Sequence, residues 1–170
     1  VIIITGYKDY LLKKNFKKNK SISFIKNQKY LKTNMVYSLF CAYKYLKKYK
    51  QDIVISYSDI VFDKSIFSLL KSKENFLIVY GEWLKIWKLR MKKSMIFNDA
   101  ESLVVKKDIL ISIGQKITNE IPKYQYTGII KLKFGNFAKL YRYFKTLKND
   151  KIDFTSFLNS PIKDRIIKMK

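Results

Sequence analysis

The chain has 170 residues, 48% of them hydrophobic and 16% aromatic, and a formal charge of +23 from 36 lysines and arginines against 13 acidic residues. That size and apolar content fit one domain with its own core and exclude a disordered tail; no apolar run approaches the roughly 20 residues that cross a bilayer, so no membrane partner is expected. The absence of histidine excludes Ser-His and Cys-His nucleophilic sites and the common zinc sites, leaving carboxylates, lysine, tyrosine, hydroxyls or a hard metal ion for any chemistry.

In chain order, Val1 to Thr5 reads as a strand closed by Gly6, too short and lacking the basic leader for a signal peptide. Lys8 to Lys14 makes a short helix, Lys17 to Lys20 a basic turn, Ser21 to Ile25 a second strand and Asn27 to Lys32 a loop. Thr33 and Asn34 are favoured N-cap residues. After them Met35, Leu39, Ala42, Tyr43 and Leu46 recur at helical spacing, with Lys44, Lys47 and Lys48 on the other face. Cys41 lies on this apolar pattern and reads as a small core residue. As the single cysteine it allows no intrachain disulfide and points to a reducing compartment, so a cytoplasmic location is expected.

The stretch from Asp52 to Asp63 follows. A β-branched apolar run, Ile53 to Ile55, reads as a buried strand, and Ser56, Tyr57 and Ser58 lead from it to Asp59. Ligand crevices of open α/β sheets lie outside the carboxyl ends of such strands. Asp59 is therefore either a carboxylate delivered to a crevice or a turn residue. Asp63 is placed to cap a helix carrying Ile66, Phe67, Leu69 and Leu70. Asn75 to Tyr80 is another strand. Glu82 to Arg90 is a helix on which Trp83 and Trp87 share a face, as two core tryptophans or as an aromatic wall for a cationic or planar group.

Met91 to Asn98 reads as a basic loop. Glu101 to Val105 and Ile109 to Ile113 form a hairpin through Lys106-Lys107-Asp108, and Tyr124 to Leu132 is a strand containing Gly128. Phe134 to Leu147 is an amphipathic helix and Asp153 to Leu158 a short one. Pro161 is expected to break the chain, leaving the tail Ile162 to Lys170 without a clear partner. Four early strand–helix alternations predict a mostly parallel sheet with helices on both faces, and the later strands a mixed addition. The expected fold is α/β, a three-layer sandwich with a mixed, mostly parallel, Rossmann-like sheet.

The charge invites a polyanion partner. Against that, arginine occurs only at 90, 142 and 165, the lysines are spread rather than blocked, and Lys, Asn, Ile, Tyr and Phe are enriched together, as AT-rich coding would give. Arginine is the residue suited to bidentate reading of phosphates and bases. No specific nucleic-acid partner is expected, and a basic nucleic-acid-binding module without enzymatic activity stands as the alternative function.

The ordered series Thr5-Gly6-Tyr7, Lys32-Thr33-Asn34-Met35-Val36-Tyr37-Ser38-Leu39, Ser56-Tyr57-Ser58-Asp59-Ile60-Val61-Phe62, Trp83, Trp87 and Arg90, Asp99-Ala100-Glu101, Ile113-Gly114 and Tyr126-Thr127-Gly128-Ile129 resembles the MobA-like, sugar-phosphate nucleotidyltransferase superfamily. Within it the series is most similar to bacterial choline-phosphate-type cytidylyltransferases of surface-polysaccharide pathways, over residues 1 to 158. The resemblance implies transfer of a nucleotide from an NTP, CTP above all, to a phosphorylated small molecule such as phosphocholine or a sugar phosphate, with release of pyrophosphate and help from Mg²⁺. By resemblance Asp59 is the metal-holding, catalytic aspartate. Gly6, Tyr7, Asn34, Ser38 and Ser58 lie on the nucleotide side, and Trp83, Trp87, Glu101 and Tyr126 on the acceptor side. The family's Gly-rich loop with its Arg and Lys has no counterpart here. Nor does its second metal carboxylate, since only Asp164 follows Pro161. Residues 1–170 are accordingly expected to be one nucleotidyltransferase domain truncated at both ends, weak or inactive by itself. The oligomeric state is not legible from these residues.

Overall fold

A computed structural model describes residues 1–117 and 120–170. The elements run β1 (Ile2–Thr5), α1 (Asp9–Asn15), β2 (Ser23–Lys26), α2 (Met35–Cys41), α3 (Tyr43–Tyr49), β3 (Ile53–Ser56), α4 (Ile66–Leu69), β4 (Phe76–Tyr80), α5 (Trp83–Arg90), α6 (Lys93–Asp99), β5 (Glu101–Lys106), β6 (Ile109–Lys116), β7 (Gln125–Leu132), α7 (Phe134–Thr146) and α8 (Phe154–Lys163). The mixed α/β architecture expected from the alternating pattern is present. β1 and β2 pair in parallel, with Ile2 opposite Ser23 and Thr5 opposite Lys26. β7 lies between β3 and β4 and is antiparallel to both, so that β3 and β4 share a direction without touching. β7 takes the centre because its side chains are apolar on both faces: Ile129, Ile130 and Leu132 are all buried. β5 and β6 form the expected hairpin. Its turn residues Lys107 and Asp108 both have positive φ, 49° and 58°, the geometry that matches the twist of the strands on either side.

The main core joins β3, β4 and β7 to α2, α7 and α8. Phe40 on α2 is its hinge, with ring centroids 5.4 Å from Phe137, 5.0 Å from Phe144 and 5.8 Å from Phe157. Tyr43 stacks on Tyr141 at 3.7 Å. A smaller cluster gathers Trp83, Ile96 and Ala100.

Four local expectations are corrected. The helix foreseen from Thr33 onward divides at Ala42, where the amide N–H reaches back three residues to the Leu39 carbonyl (3.1 Å) and the turn tightens. The segment read as a basic loop contains α6, which carries no side-chain cap and is held by the burial of Ile96 against the tryptophans. Asp63 does not cap α4. Its Oδ1 accepts the Ser65 amide at 2.8 Å in a local turn, and the Ser65 hydrogen bonds hold its carboxyl below the usual range. Pro161 does not end a helix but lies inside α8. Its carbonyl accepts the amides of Ile166 and Ile167, and Arg165 turns the chain with φ 55°.

The tail after α8 does find partners. Ile167 and Met169 are buried, Leu110 N–H donates to the Met169 carbonyl, and Lys170 bridges Asn75 and Leu77 on β4, each bond at 3.0 Å. Bonds to the residues on either side of Phe76 are the parallel-strand pattern. The tail therefore ties the β3–β7–β4 sheet to the β5–β6 hairpin. Asn75 anchors the junction: its Nδ2 donates to the Lys168 carbonyl (3.1 Å) and its Oδ1 accepts the Lys133 amide (2.8 Å).

Lys131 on β7 is buried. Its Nζ donates to the Leu70 carbonyl at 2.9 Å and to the Ser72 carbonyl, and lies 3.6 Å from Asp52. It fastens the end of α4 to the central strand. Lys131→Met keeps most of the stem's packing and removes the donors, so it is expected to cost about 2 kcal/mol. The reading is the urea midpoint; an unshifted midpoint would show that water serves these carbonyls equally well.

Candidate functional site

Asp59 stands beyond the carboxyl end of β3 with its side chain exposed, and Ser58 beside it is exposed as well. What fixes this end of the strand is Tyr57. Its amide donates to the Gly128 carbonyl at 3.0 Å, and its ring lies on Gly128. That residue has φ +91°, and a Cβ there would stand 3.0 Å from the Tyr57 ring. Tyr57 meets Tyr126 edge-on at 5.7 Å and Phe154 at 6.4 Å.

Two further carboxylates converge on these rings. Glu101 opens β5 and is held to β7 by Gln125, whose amide donates to the Glu101 carbonyl at 2.6 Å. Asp153 caps α8, its Oδ1 accepting the Ser156 amide at 2.8 Å and the Thr155 hydroxyl at 3.0 Å. α8 reaches this position because Gly114 on β6, φ +76°, has no side chain: a Cβ would be 2.6 Å from the Thr155 carbonyl carbon.

The electrostatics follow from this crowding. Burial raises the Tyr57 hydroxyl pKa, and the charges of Glu101, Asp153 and Asp59 raise it further. Burial, and then Tyr57, raise that of Tyr126. Burial also pushes the Glu101 carboxyl up, with reinforcement from the charge of Asp153. For Asp153 burial pulls upward, but the hydrogen bonds from Ser156 and Thr155 win and hold it below the usual range.

The remaining residues singled out in the sequence fall in two other places. At the ends of β1 and β2, Gly6 backs onto Tyr30, where a Cβ would lie 2.8 Å from the Tyr30 Cβ. Tyr7 is exposed with the Lys8 ammonium 5.2 Å over its ring. Asn34 caps α2 through the Met35 amide (2.7 Å) and donates to the Lys151 carbonyl (3.2 Å). Ser38 accepts from the buried Asn27 at 3.0 Å, which also donates to Thr33. Residues 28 to 33 and Asp150 line a concavity of about 470 Å³ beside this network. In the second apolar cluster, Trp83 is buried with its Nε1 donating to the Pro122 carbonyl at 3.0 Å. It meets Trp87 edge-on at 5.2 Å, and the Arg90 guanidinium lies 5.6 Å over the Trp87 ring.

Glu101 and Tyr126 are thus brought together with Tyr57, Asp153, Phe154 and Thr155, while Trp83 and Trp87 belong to a different cluster. Asp153 and Thr155 escaped the sequence reading, where the segment showed only a helix start. Among the described residues no group of three acidic or cysteine side chains is placed to hold a metal ion. A single exposed carboxylate such as Asp59 suits Mg²⁺, which commonly takes one or two carboxylates and completes its shell with substrate phosphates and water.

The fold is shared with solved nucleotidyltransferases. The inositol-1-phosphate CTP transferase from T. maritima superposes with a TM-score of 0.73 at 16% identity, over 99% of this chain and 64% of that one. A UDP-glucose pyrophosphorylase in its apo form superposes with a TM-score of 0.62 at 12% identity, over 99% and 71%. In sequence the chain is similar to the CTP:phosphoglutamine cytidylyltransferase of Campylobacter jejuni, 33% identical over a 157-residue alignment that covers 88% of this chain and 61% of that protein. The chain therefore spans less than two thirds of that relative's length. No protein-family model matches. The nucleotidyltransferase resemblance read from the sequence is borne out by these similarities, and with it the likeness to cytidylyltransferases.

Proposed function

We propose that the protein carrying these residues is a cytidylyltransferase that joins CTP to a phosphorylated small molecule. The observation that carries this reading is the 33% identity to a cytidylyltransferase over 157 residues, on a fold shared with nucleotidyltransferases. An acceptor phosphate oxygen attacks the α-phosphorus of CTP, the bond to the β-phosphate oxygen breaks, and pyrophosphate leaves. Such a transfer needs alignment and charge neutralisation rather than a covalent nucleophile, which suits a chain without histidine. Asp59 is the proposed holder of Mg²⁺, which would neutralise the phosphates when bound. Gly6, Tyr7, Asn34, Ser38 and Ser58 form the nucleotide side in this reading. Asn34 and Ser38 act there by fixing the loop and helix start rather than through free side chains. Glu101 and Tyr126 form the acceptor side in this reading, while Trp83 and Trp87 sit in the separate cluster with Ile96 and Ala100. Residues 1–170 make up most of one nucleotidyltransferase domain, working where CTP is made, in the cytoplasm.

The test is pyrophosphate release by the complete reading frame containing this chain, supplied with CTP, MgCl₂ and a panel of phosphorylated acceptors. Turnover is expected with CTP above the other nucleoside triphosphates, and its removal by EDTA. No turnover with any pair, alongside retention of single-stranded DNA at physiological salt, would replace the reading by a nucleic-acid module.

A further inference from the structure

α1 is built inside out. Its one buried residue is Asp9, whose carboxylate accepts the ammonium groups of Lys13 at 2.7 Å and of Lys26 on β2 at 3.0 Å, and so pins the helix to the strand. The apolar side chains lie outside. Tyr10, Leu11 and Leu12 are 62, 46 and 40% exposed, and Phe16 just past the helix is 39% exposed. α7 shows the ordinary arrangement, with Phe137, Leu140 and Phe144 buried and Lys139 and Arg142 exposed. From residue 10 to residue 21 the exposure is unbroken. The turn after α1 is nonetheless ordered, with the Asn19 amide donating to the Phe16 carbonyl at 2.9 Å and the Ile22 amide to the Asn19 carbonyl at 3.2 Å. Residues 8 to 20 include six lysines and one acid. That acid is Asp9, and among the described residues Lys8, Lys14, Lys17, Lys18 and Lys20 pair with no carboxylate.

An exposed apolar cluster rimmed by charge marks an interaction surface. Unpaired lysines call for an anionic partner, and leucines between them for one with an apolar interior. A nucleic acid meets the first demand only. Leu11 and Leu12 have no ring to stack on a base, and no arginine lies in this segment to grip a phosphate at two points. An anionic bilayer meets both, with acyl chains beneath the headgroups for Leu11, Leu12 and Phe16 and negative headgroups for the lysines. Tyrosines such as Tyr10 favour that boundary. We propose that α1 and the lysine turn after it form a peripheral docking surface for an anionic lipid bilayer. Such a contact needs no spanning helix, and none among the described residues is long and apolar enough to be one. The proposal goes beyond the cytidylyltransferase reading and does not depend on it.

The test is sedimentation of the complete protein, at physiological salt, with vesicles of phosphatidylserine and phosphatidylcholine in equal parts and with vesicles of phosphatidylcholine alone. Binding is expected to the mixed vesicles only. Lys14→Gln, Lys17→Gln, Lys18→Gln and Lys20→Gln combined should lower the affinity at least about a hundredfold. Leu11→Gln with Leu12→Gln should lower it about tenfold with the charge intact, and glutamine keeps the helix propensity. In Leu11→Trp the added emission should be quenched by brominated lipid in the mixed vesicles, a readout that does not rely on weakened binding. Binding to neither vesicle, equal binding to both, or emission that stays unquenched would overturn the proposal. So would an affinity untouched by the leucine substitutions, which would reduce the effect to unspecific charge attraction. Retention of single-stranded DNA at this salt in place of the mixed vesicles would assign the face to a nucleic acid instead.

Discussion

Asp59→Asn is expected to lower pyrophosphate release from CTP at least about a hundredfold in the complete protein, the scale of losing a preorganised charge at a phosphoryl-transfer site. The substitution keeps the side chain's size and removes only its charge. Asp59 is exposed, and exposed side chains away from special features shift stability by no more than about 0.5 kcal/mol. The melting temperature should therefore stay where it is while turnover collapses. The loss should also resist higher MgCl₂, since asparagine offers the ion a neutral oxygen with weak affinity. Comparable turnover by the variant and its parent would remove Asp59 from the chemistry and leave it a turn residue at the end of β3.

Gly114→Ala is expected to cost about 3 kcal/mol or more, enough to remove a large part of the stability of a domain this size. Two penalties combine. The backbone φ of +76° is strained for a side-chain-bearing residue. The new Cβ would also stand 2.6 Å from the Thr155 carbonyl carbon and 2.8 Å from the Ser156 nitrogen. Both are backbone atoms, so nothing flexible can give way, and α8 must move off β6. Gly135 on α7 is the control, because a Cβ there meets nothing within 4 Å. Gly135→Ala should be neutral or stabilising by about 0.5 kcal/mol. Urea unfolding of the two variants side by side checks the contrast. Equal midpoints would mean that β6 and α8 do not approach as closely as described.

Most local elements were legible because each carries its signal within a few residues. Asn34 announces α2 by capping it, and Lys107-Asp108 marks the hairpin. β7 is plain from its apolar run. α6 was hidden because Lys92-Lys93 at its start and Asn98-Asp99 at its end read as a polar loop, while among its described side chains only Ile96 is buried to sustain it. The tail was hidden because its partners, Asn75, Leu77 and Leu110, come far earlier in the chain. The candidate site was half legible. Glu101 and Tyr126 were assigned to one place by resemblance, and they are together. Asp153 showed only as the start of a short helix. What brings it to Tyr57 is the close approach of α8 to Gly114, a packing event with no local signature. The division between the tryptophan cluster and the Tyr57 cluster was likewise beyond a reading in which all four acceptor-side residues were simply aromatic or acidic.

β7 has a consequence for how this molecule is made. It is the strand on which β3 and β4 depend, yet it comes after both in the sequence. During synthesis or refolding, β3 and β4 wait as apolar strands with unpaired edges while the intervening helices and hairpin form. Long-range strand pairing of this kind folds slowly and exposes edges that invite association between chains. A charge of +23 makes unfinished chains repel one another. The lysine excess, which pairs with few carboxylates among the described residues, thus opposes association in the interval before the central strand arrives.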